Sequence, residues 1–299
     1  MGILSGGEGA RPTVRVGIAG GLGNQMFQAA AAMALAHRLG ARLEFAPHRH
    51  HVTTVRQYEL AAFDLNASLA TIGRKQFSRK ARRWNTLRNA VTAQRRRPIT
   101  LWQEAGFHYD PTFERLSGNV IMGGYCQSPR YFNAIVDTVR RSFDLKPLLS
   151  SRSRDLCEAA AGENSVAVHI RRGDFTDPSN AKVHVVLGAD YYARALDVLA
   201  AMLGSPRFFV VSDDVAAARA MLGATPNVTY AEGATMFDDM HLISSCRHKI
   251  IANSTFGWWG AWLDKREDAI TIAPRAWFTR AVMMRSYLCD LFPPGWVTL

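Results

Sequence analysis

The sequence predicts an α/β protein with parallel sheets, and three observations support this prediction. The 299 residues are enough for two domains of about 150 residues each, or for one larger domain. Near the N-terminus, a strand, a glycine-rich turn, a helix and a second strand follow one another. In the second half, short apolar strands alternate with helices, which is typical of a doubly wound parallel sheet.

The first domain opens with a β-loop-α-β unit. Its apolar first strand is followed by an alanine-rich helix that we expect to run from about Asn24 to Leu39. Asn24 has the side chain of an N-cap, and Gly40 is suited to end the helix. The turn contains Gly21 and Gly23, whose amides would face one pocket together with the helix N-terminus. The spacing is not GxGxxG, so no dinucleotide site is predicted, and a tightly packed turn would also explain the glycines.

The remaining elements complete two α/β domains. The predicted strands are 14–19, 42–45, 118–122, 166–170, 208–211, 228–230, 249–252 and 270–272. The predicted helices after the first are 131–143, 190–203, 215–222, 235–245 and 257–263. Residues 144–147 are expected to link a first domain, 1–147, to a second domain, 148–299.

The composition is that of an ordinary globular protein, with 48% apolar and 20% charged residues. The first residues are rich in glycine and lack an apolar core segment, so no signal peptide is predicted. The four cysteines are scattered, with no CxxC and no metal-ligand spacing: Cys126, Cys157, Cys246 and Cys289. We therefore expect reduced thiols in a cytoplasmic protein, and no structural metal.

Positive charge is concentrated in one stretch, within a net charge of +11. Between Leu65 and Gln103 there is no acidic residue, and the basic ones are Arg74, Lys75, Arg79, Lys80, Arg82, Arg83, Arg88, Arg95, Arg96 and Arg97. We call residues 71–98 the basic segment. It could be a solvated helical insertion, it could bind the anionic surface of the inner membrane, or it could bind a nucleic acid. The solvated insertion and the membrane contact are favoured, and no nucleic-acid partner is expected.

The most informative stretch is His169–Asp174, at the end of the strand predicted over 166–170. The neighbouring Arg171 and Arg172 would form a dense cationic site at the carboxyl end of a strand, where open α/β sheets bind ligands. A guanidinium can hold a diphosphate with forked hydrogen bonds and stays charged at any working pH. Taken alone, the pattern would also fit a surface Arg–Asp pair.

Polar residues also follow the strand predicted over 208–211. Ser212 and Asp213 stand at its carboxyl end, on the same ligand-binding edge. Either of them could instead cap the helix that follows.

The helix expected over 235–245 contains two neighbouring carboxylates. Thr235 and Asp238 fit a capping pattern, while Met236, Met240 and Ile243 define the apolar face at about 100° per residue. On this wheel, Asp238 falls opposite that face and should be solvated. Asp239 falls on its margin and needs a hydrogen-bonding partner, which could be a group of the protein or the N1–H and exocyclic amine of a guanine.

A last polar turn joins the strand over 249–252 to the final predicted helix. It contains Asn253, Ser254, Thr255 and Phe256, whose amides and hydroxyls could surround one anion. The two tryptophans that follow, at positions 258 and 259, are expected to pack in the core rather than to stack on a sugar.

Together these segments resemble glycosyltransferase family 11, the bacterial α-1,2-fucosyltransferases. The matching motifs are Gly20 to Gln28, His169 to Asp174, Ser212 to Asp214, Asp239 to Leu263 and Ala273 to Phe278, and they span nearly the whole chain. The resemblance implies the GT-B architecture, two facing Rossmann-like domains, with GDP-fucose bound mainly by the second. It also implies that Arg171 holds the diphosphate with Arg172 and His169 nearby, and that Asp239 reads guanine.

The same resemblance suggests further roles. Ser254, Thr255 and Phe256 would border the diphosphate and base, and Asn24 would approach the fucose and the acceptor, an oligosaccharide or a lipid-linked glycan. The implied reaction inverts the donor's β linkage to an α-fucoside. Because the chain has no Asp-x-Asp, we expect the arginines to act in place of a metal ion, with no other cofactor.

Two questions stay open from the sequence. Asp174 is the best-placed carboxylate for the base that accepts the hydroxyl proton, but it could instead only orient Arg171. A fucosyltransferase of another linkage, another GDP-sugar transferase, or a non-catalytic nucleotide- or RNA-binding protein are the alternative functions.

Overall fold

The computed structural model describes residues 11–47, 57–72, 98–162, 164–176, 181–232, 235–283 and 289–299, with the backbone alone at 152, 174 and 176. The ten basic residues of the basic segment lie outside the described residues. The chain divides into two compact units, Met1–Ser142 and Phe143–Leu299. Phe143 belongs with the second unit because its ring packs edge-on against Trp259, with 5.3 Å between the ring centroids.

The first unit contains a parallel five-stranded sheet. Its strands are β1 (Thr13–Ile18), β2 (Arg42–Pro47), β3 (Ser68–Leu69), β4 (Ile99–Gln103) and β5 (Asn119–Gly123). Their order is β3-β2-β1-β5-β4, with every pair parallel. The predicted strands of this domain are present, whereas β3 and β4 were not predicted. Both lie at sheet edges, where half-exposed strands lack the continuous apolar run that identifies a buried one.

Helix α1 (Leu22–Leu39) connects β1 to β2 and is buried along most of its length. The prediction that Asn24 caps this helix is wrong, because the helix begins two residues earlier, with Gly21 in extended conformation as the N-cap. Gly40 adopts the left-handed conformation, with φ of 56°, and ends the helix as predicted. The predicted helix over 131–143 is broken into short 3-10 turns followed by α2 (Val136–Ser142).

The second unit contains a parallel six-stranded sheet. Its strands are β6 (Ser165–Ile170), β7 (Arg207–Ser212), β8 (Val228–Tyr230), β9 (His248–Ile250), β10 (Thr271–Ala273) and β11 (Val297–Thr298). Its helices are α3 (Ser151–Ala160), α4 (Ala189–Leu203), α5 (Val215–Leu222), α6 (Met236–Ser245), α7 (Thr255–Trp262) and α8 (Arg280–Met283). All predicted strands and helices of this half are present, and the predicted α/β class with two parallel, Rossmann-like sheets is confirmed.

The strand order β11-β10-β9-β6-β7-β8 reverses at β6. From β6 the chain proceeds through β7 to β8 on one side, and it then returns to β9 on the other side. Such a reversal opens a crevice at the carboxyl ends of the central strands, where open α/β sheets bind ligands. The polar turns predicted from the sequence follow β6, β7 and β9, so they surround this point.

Helices cover both faces of the second sheet. Val166, Val168 and Ile170 of β6 pack in a cluster with the residues of α4, while Ala167 packs in the cluster that contains Ile243 of α6. Every residue of β6 is buried. Trp258 and Trp259 are fully buried, which confirms the expected core packing. Among the described residues, no helix combines the length and the apolar character needed to cross a membrane.

Candidate active site

One carboxylate organises the arginine turn that follows β6. Asp213, just past the end of β7, accepts an ion-paired hydrogen bond from Arg171, with 3.0 Å between Nη1 and Oδ2. Its other oxygen accepts the backbone amide of Arg172 at 2.8 Å. The Arg171 side chain remains 21% exposed, so it is fixed by the protein and still accessible to a ligand.

An aromatic ring also supports the Arg171 guanidinium, which lies over Phe175 at 5.7 Å from the ring centroid. Phe175 in turn stacks on His184, with 4.4 Å between the ring centroids and 15° between their planes. A guanidinium is weakly hydrated and stacks well on such a face. The position of Arg171 is therefore set by an ion pair and by a stacked pair of rings.

Gly173 allows this arrangement because it has no side chain. A Cβ atom at this position would lie 2.4 Å from Asp213 Oδ2, which is closer than real contacts permit. The glycine therefore lets Asp213 approach the arginine turn.

The suggestion that Ser212 or Asp213 caps the next helix is wrong. Asp214 is the N-cap of α5, and its side chain accepts the amide of Ala217 at 2.9 Å. The Ser212 hydroxyl and Asp214 form a small turn with bonds of 3.0 and 3.1 Å. Asp213 is thus available for the arginines because its neighbour carries the capping role.

His169 does not add to the positive charge of the site. Burial and the charge of Arg171 lower the pKa of His169 to about 3, so the imidazole is neutral at physiological pH. The ring is 3% exposed and packs beside Gly257, where a Cβ would lie 2.3 Å from its Nδ1 atom. His169 therefore contributes no positive charge next to Arg171.

Asp174 lies in the 3-10 turn Gly173–Thr176, directly after the arginines. The structure describes its backbone but not its side chain. Its place in the chain is compatible with either role considered from the sequence.

Of the two carboxylates of α6, only Asp238 has a different environment from the one predicted. Asp238 was expected to be solvated, and this is wrong: it is 1% exposed. It completes a capping box with Thr235, and its Oδ1 atom accepts the amide of Ser150 at 2.9 Å. Burial opposes its charged form, but the hydrogen bonds from Thr235 and Ser150 outweigh this and keep the pKa of Asp238 below its usual value. Helical-wheel geometry missed the burial because α3 and the segment before it pack on this side.

Asp239 is half-buried in the first turn of α6. Burial, and next the charge of Asp238, raise the pKa of Asp239 to about 7. A carboxyl group that is costly to ionise in the free protein would gain from a ligand that donates hydrogen bonds to it. Met236, assigned to the apolar face from the sequence, is instead 40% exposed.

The turn after β9 is partly committed to the fold. Asn253 is buried, and its Nδ2 atom donates to the carbonyls of Val185 and Trp277 at 2.9 and 2.8 Å. Ser254 is the N-cap of α7 and accepts the amide of Phe256 at 3.3 Å. Thr255 and Phe256 are half-buried, and the Phe256 ring lies 5.7 Å from His169.

In the first unit, the glycine turn surrounds Asn24. Gly20 has a φ of 83°, and a Cβ there would lie 2.6 Å from the Asn24 amide nitrogen. Gly21 caps α1 and Gly23 is buried within its first turn. The Asn24 Oδ1 atom accepts a hydrogen bond from Gln127 at 2.9 Å, which joins the glycine turn to the turn after β5.

The turn after β5 is anchored by Glu104, a buried residue just past the end of β4. Its Oε2 atom accepts the amides of Tyr125 and Cys126 at 3.1 and 2.8 Å. Burial raises the pKa of Glu104 to about 7 despite these bonds. Sequence reasoning missed Glu104, Tyr125 and Gln127. The last two follow the predicted strand 118–122 at its carboxyl end, which is the signal that could have identified them.

The donor-side candidates therefore share the carboxyl edge of the second sheet, whereas Gly21, Gly23 and Asn24 share the corresponding edge of the first. Arginines at the carboxyl end of a parallel strand suit an anionic ligand such as a diphosphate. Residues 109–299 match the model of glycosyl transferase family 11, and the chain belongs to this family.

Named relatives agree with this assignment. The O-antigen biosynthesis glycosyltransferase WbnK of Escherichia coli is 31% identical over 87% of this chain and 93% of its own length. An α-1,2-colitosyltransferase of the same species is 34% identical, over 62% of this chain and 64% of its own. The galactoside α-(1,2)-fucosyltransferase 2 of Sus scrofa is 28% identical over 82% of this chain and 67% of its own length.

Among solved structures, the fucosyltransferase NodZ from Bradyrhizobium is similar with a TM-score of 0.48 and 16% identity, covering 84% of this chain and 93% of NodZ.

In the described part of the chain, no group of three or more His, Cys, Asp and Glu side chains could hold a metal ion.

Proposed function

We propose that the chain transfers L-fucose from GDP-β-L-fucose to a hydroxyl of a glycan, with inversion to an α linkage. The observation that carries this proposal is the fixed, accessible Arg171 at the reversal point of the second sheet. Asp213 and Phe175 hold its guanidinium while part of it stays exposed. A guanidinium held in this way is suited to bind a diphosphate leaving group.

Asp239 is the proposed reader of the guanine base. Its carboxylate would accept the N1–H and the exocyclic amine together, and the bound donors would stabilise the charge that burial now opposes. Uracil offers one N–H donor on its pairing edge and no exocyclic amine. The site should therefore prefer GDP to UDP.

Arg171 would act on the transition state. As the bond from the anomeric carbon to the phosphate breaks, negative charge grows on the diphosphate and positive charge on the sugar ring. A fixed guanidinium binds this increasing charge more strongly than it binds the ground state, which is the condition for rate acceleration. Because Asp213 already orients it, little reorganisation is needed during the reaction.

In this mechanism the acceptor hydroxyl attacks from the face opposite the leaving GDP. Asp174 is the candidate base, since it lies two residues after Arg172, in the turn Gly173–Thr176. No Asp-x-Asp is present in the sequence, so we propose that the reaction uses no metal ion and no cofactor besides the donor substrate. Transfer should survive EDTA; loss with chelator and recovery with Mn²⁺ would overturn this part.

The proposed acceptor is the 2-hydroxyl of a galactose-type residue in an oligosaccharide or a lipid-linked glycan. Support comes from the names of relatives that act on galactosides through an α-1,2 linkage and of one in O-antigen biosynthesis.

The proposed location is the cytoplasm. The four cysteines are free, in keeping with a reducing cytoplasm. The basic segment would let the enzyme associate peripherally with the anionic inner membrane.

A second donor is supported by the 34% identical α-1,2-colitosyltransferase. Colitose is L-fucose without its 3-hydroxyl, so the same GDP and arginine contacts would serve both donors. Discrimination between the two donors would then rest on hydrogen bonds to the 3-hydroxyl of fucose. Parallel assays with GDP-fucose and GDP-colitose show which donor the protein uses.

A thermal-shift panel tests nucleotide specificity directly. GDP should raise the melting temperature of the whole protein, while UDP and a short RNA at the same concentration should leave it nearly unchanged, because only a ligand bound to the native state stabilises it. Stabilisation by RNA and not by GDP would favour the nucleic-acid alternative and overturn the proposal.

A further inference from the structure

The turn after β5 displays an aromatic side chain that the donor site does not use. Tyr125 is 38% exposed, whereas the four residues that follow it, 126–129, are buried. The turn stands at the carboxyl end of β5, between β1 and β4 in the sheet. This is the edge at which parallel sheets bind ligands.

The backbone around Tyr125 is held firmly. Its amide and that of Cys126 donate to Glu104, and the Gly124 carbonyl accepts from Gln28 at 3.3 Å. Gly124 and Cys126 both have positive φ, of 116° and 52°. A cysteine in this region costs on the order of 1–3 kcal/mol, and such strain persists where the surroundings impose it, often at ligand-binding positions.

The same turn contains a polar side chain, that of Gln127. Gln127 donates to Asn24, and its own Oε1 atom is buried with no hydrogen-bond partner among the described residues. An unsatisfied buried acceptor is costly, and a ligand hydroxyl that reaches the Gln127 Oε1 atom with a small shift of the turn would remove that cost.

We propose that Tyr125, together with Gln127 of the same turn and with Asn24, to which Gln127 donates, forms the subsite that receives the galactose ring of the proposed acceptor. In galactose the axial 4-hydroxyl leaves the hydrogens of C3, C4 and C5 together on the opposite face. This apolar, partly positive patch suits the negative face of an aromatic ring. A ring whose backbone is already fixed loses little entropy on binding.

Glu104 is a positioning residue in this arrangement. It does not touch the sugar, but its two amide bonds hold the turn that presents Tyr125. Glu104→Gln keeps an oxygen that accepts both amides and should retain a near-normal KM for the acceptor. Glu104→Ala loses both bonds and should raise that KM as the loss of Tyr125 does.

The inference rests on the proposed function, and the test separates the two. Kinetics with GDP-fucose and lactose should show that Tyr125→Ala raises the KM for lactose about tenfold, while Tyr125→Phe behaves as the wild type. The KM for GDP-fucose and the slow hydrolysis of GDP-fucose without acceptor should not change. Leu69→Ala, which removes another exposed apolar side chain of the first unit, is the matched control and should have no effect.

Binding without turnover gives an independent readout. In saturation-transfer NMR, lactose should receive magnetisation at the galactose C3 to C5 protons, and Tyr125→Ala should abolish the signal. Cellobiose, which differs only at C4 of the outer ring, should give little signal. An unchanged lactose KM and signal in Tyr125→Ala would overturn the subsite. Lactose binding through Tyr125 in a protein that transfers no fucose would instead overturn the proposed function alone.

Discussion

At the scale of single residues, Arg171 carries the proposed chemistry. Arg171→Lys keeps the positive charge but loses the fork and the planar face that lies over Phe175. We expect transfer to fall by on the order of 10²-fold or more. The matched control is Arg219→Lys, an exposed ion pair with Glu232 in the same unit, which should leave the rate unchanged. Near-normal turnover of a folded Arg171→Lys protein would remove Arg171 from the site.

Two adjacent carboxylates should separate stability from binding. Asp238→Ala removes a capping box and the acceptor for the Ser150 amide, so the free energy of unfolding should fall by about 1–2 kcal/mol. Asp239→Ala should leave stability nearly unchanged and weaken GDP binding by about 1–3 kcal/mol. Denaturant titration and calorimetric GDP binding measure the two effects. Equal losses of GDP affinity in both variants, each compared while fully folded, would contradict the assignment.

The pKa of Asp239 gives GDP binding a pH dependence. Since this pKa is raised to about 7, the carboxyl is protonated in more acidic solution and must lose its proton to accept two hydrogen bonds. GDP affinity should therefore rise with pH through 7 and level off above it. Well below 7, the change should approach about tenfold per pH unit. The profile of Asp239→Asn should be flat over this range if Asp239 is responsible.

The sequence predicted the strand ends at which the candidate residues lie, but not the contacts that each side chain makes. Arg171, Asp213 and Asp239 could be selected because their types suit a diphosphate and a guanine. The burial of Asp238, the neutrality of His169 and the structural bonds of Asn253 depend on partners distant in sequence, such as Ser150 and the Trp277 carbonyl. Periodicity within one element contains no information about such partners.

At the scale of elements, the turn between β6 and α4 sets the geometry of the arginines. Gly173→Ala would push a methyl group against Asp213 and move the carboxylate away from Arg171. Because small displacements in an active site are costly, we expect transfer to fall between about 10-fold and 10²-fold. Gly162→Ala, whose methyl group would enter open space, is the control. Equal rates for the two variants would show that the contact with Asp213 does not matter.

Elements with a strong local pattern were predicted and weakly patterned ones were not. β6 and β7 are apolar and buried, and α5 was placed at its observed bounds. β3 and β11 have two residues each, too short for any pattern to identify. The start of α1 was misplaced because the glycine turn itself, and no polar side chain, caps the helix.

At the scale of the whole molecule, positive charge and donor chemistry lie in different parts of the sequence. If the basic segment docks the enzyme on membranes, vesicles rich in anionic lipid should bind the protein at low salt. This binding should weaken as added salt shortens the electrostatic screening length to about 8 Å at physiological ionic strength. Neutralising Arg79, Lys80, Arg82, Arg83, Arg95, Arg96 and Arg97 should abolish this binding and spare transfer to a soluble oligosaccharide. Retained vesicle binding with lost transfer would place the segment in the active site.

The most direct test of the central claim is the structure of the product. The purified protein is incubated with GDP-β-L-fucose and lactose, and the trisaccharide is analysed by NMR. The account predicts one new fucose with an α-anomeric proton, linked to O2 of the galactose, together with one equivalent of GDP. Absence of a fucosylated product, or a β-fucoside formed with retention, would contradict it.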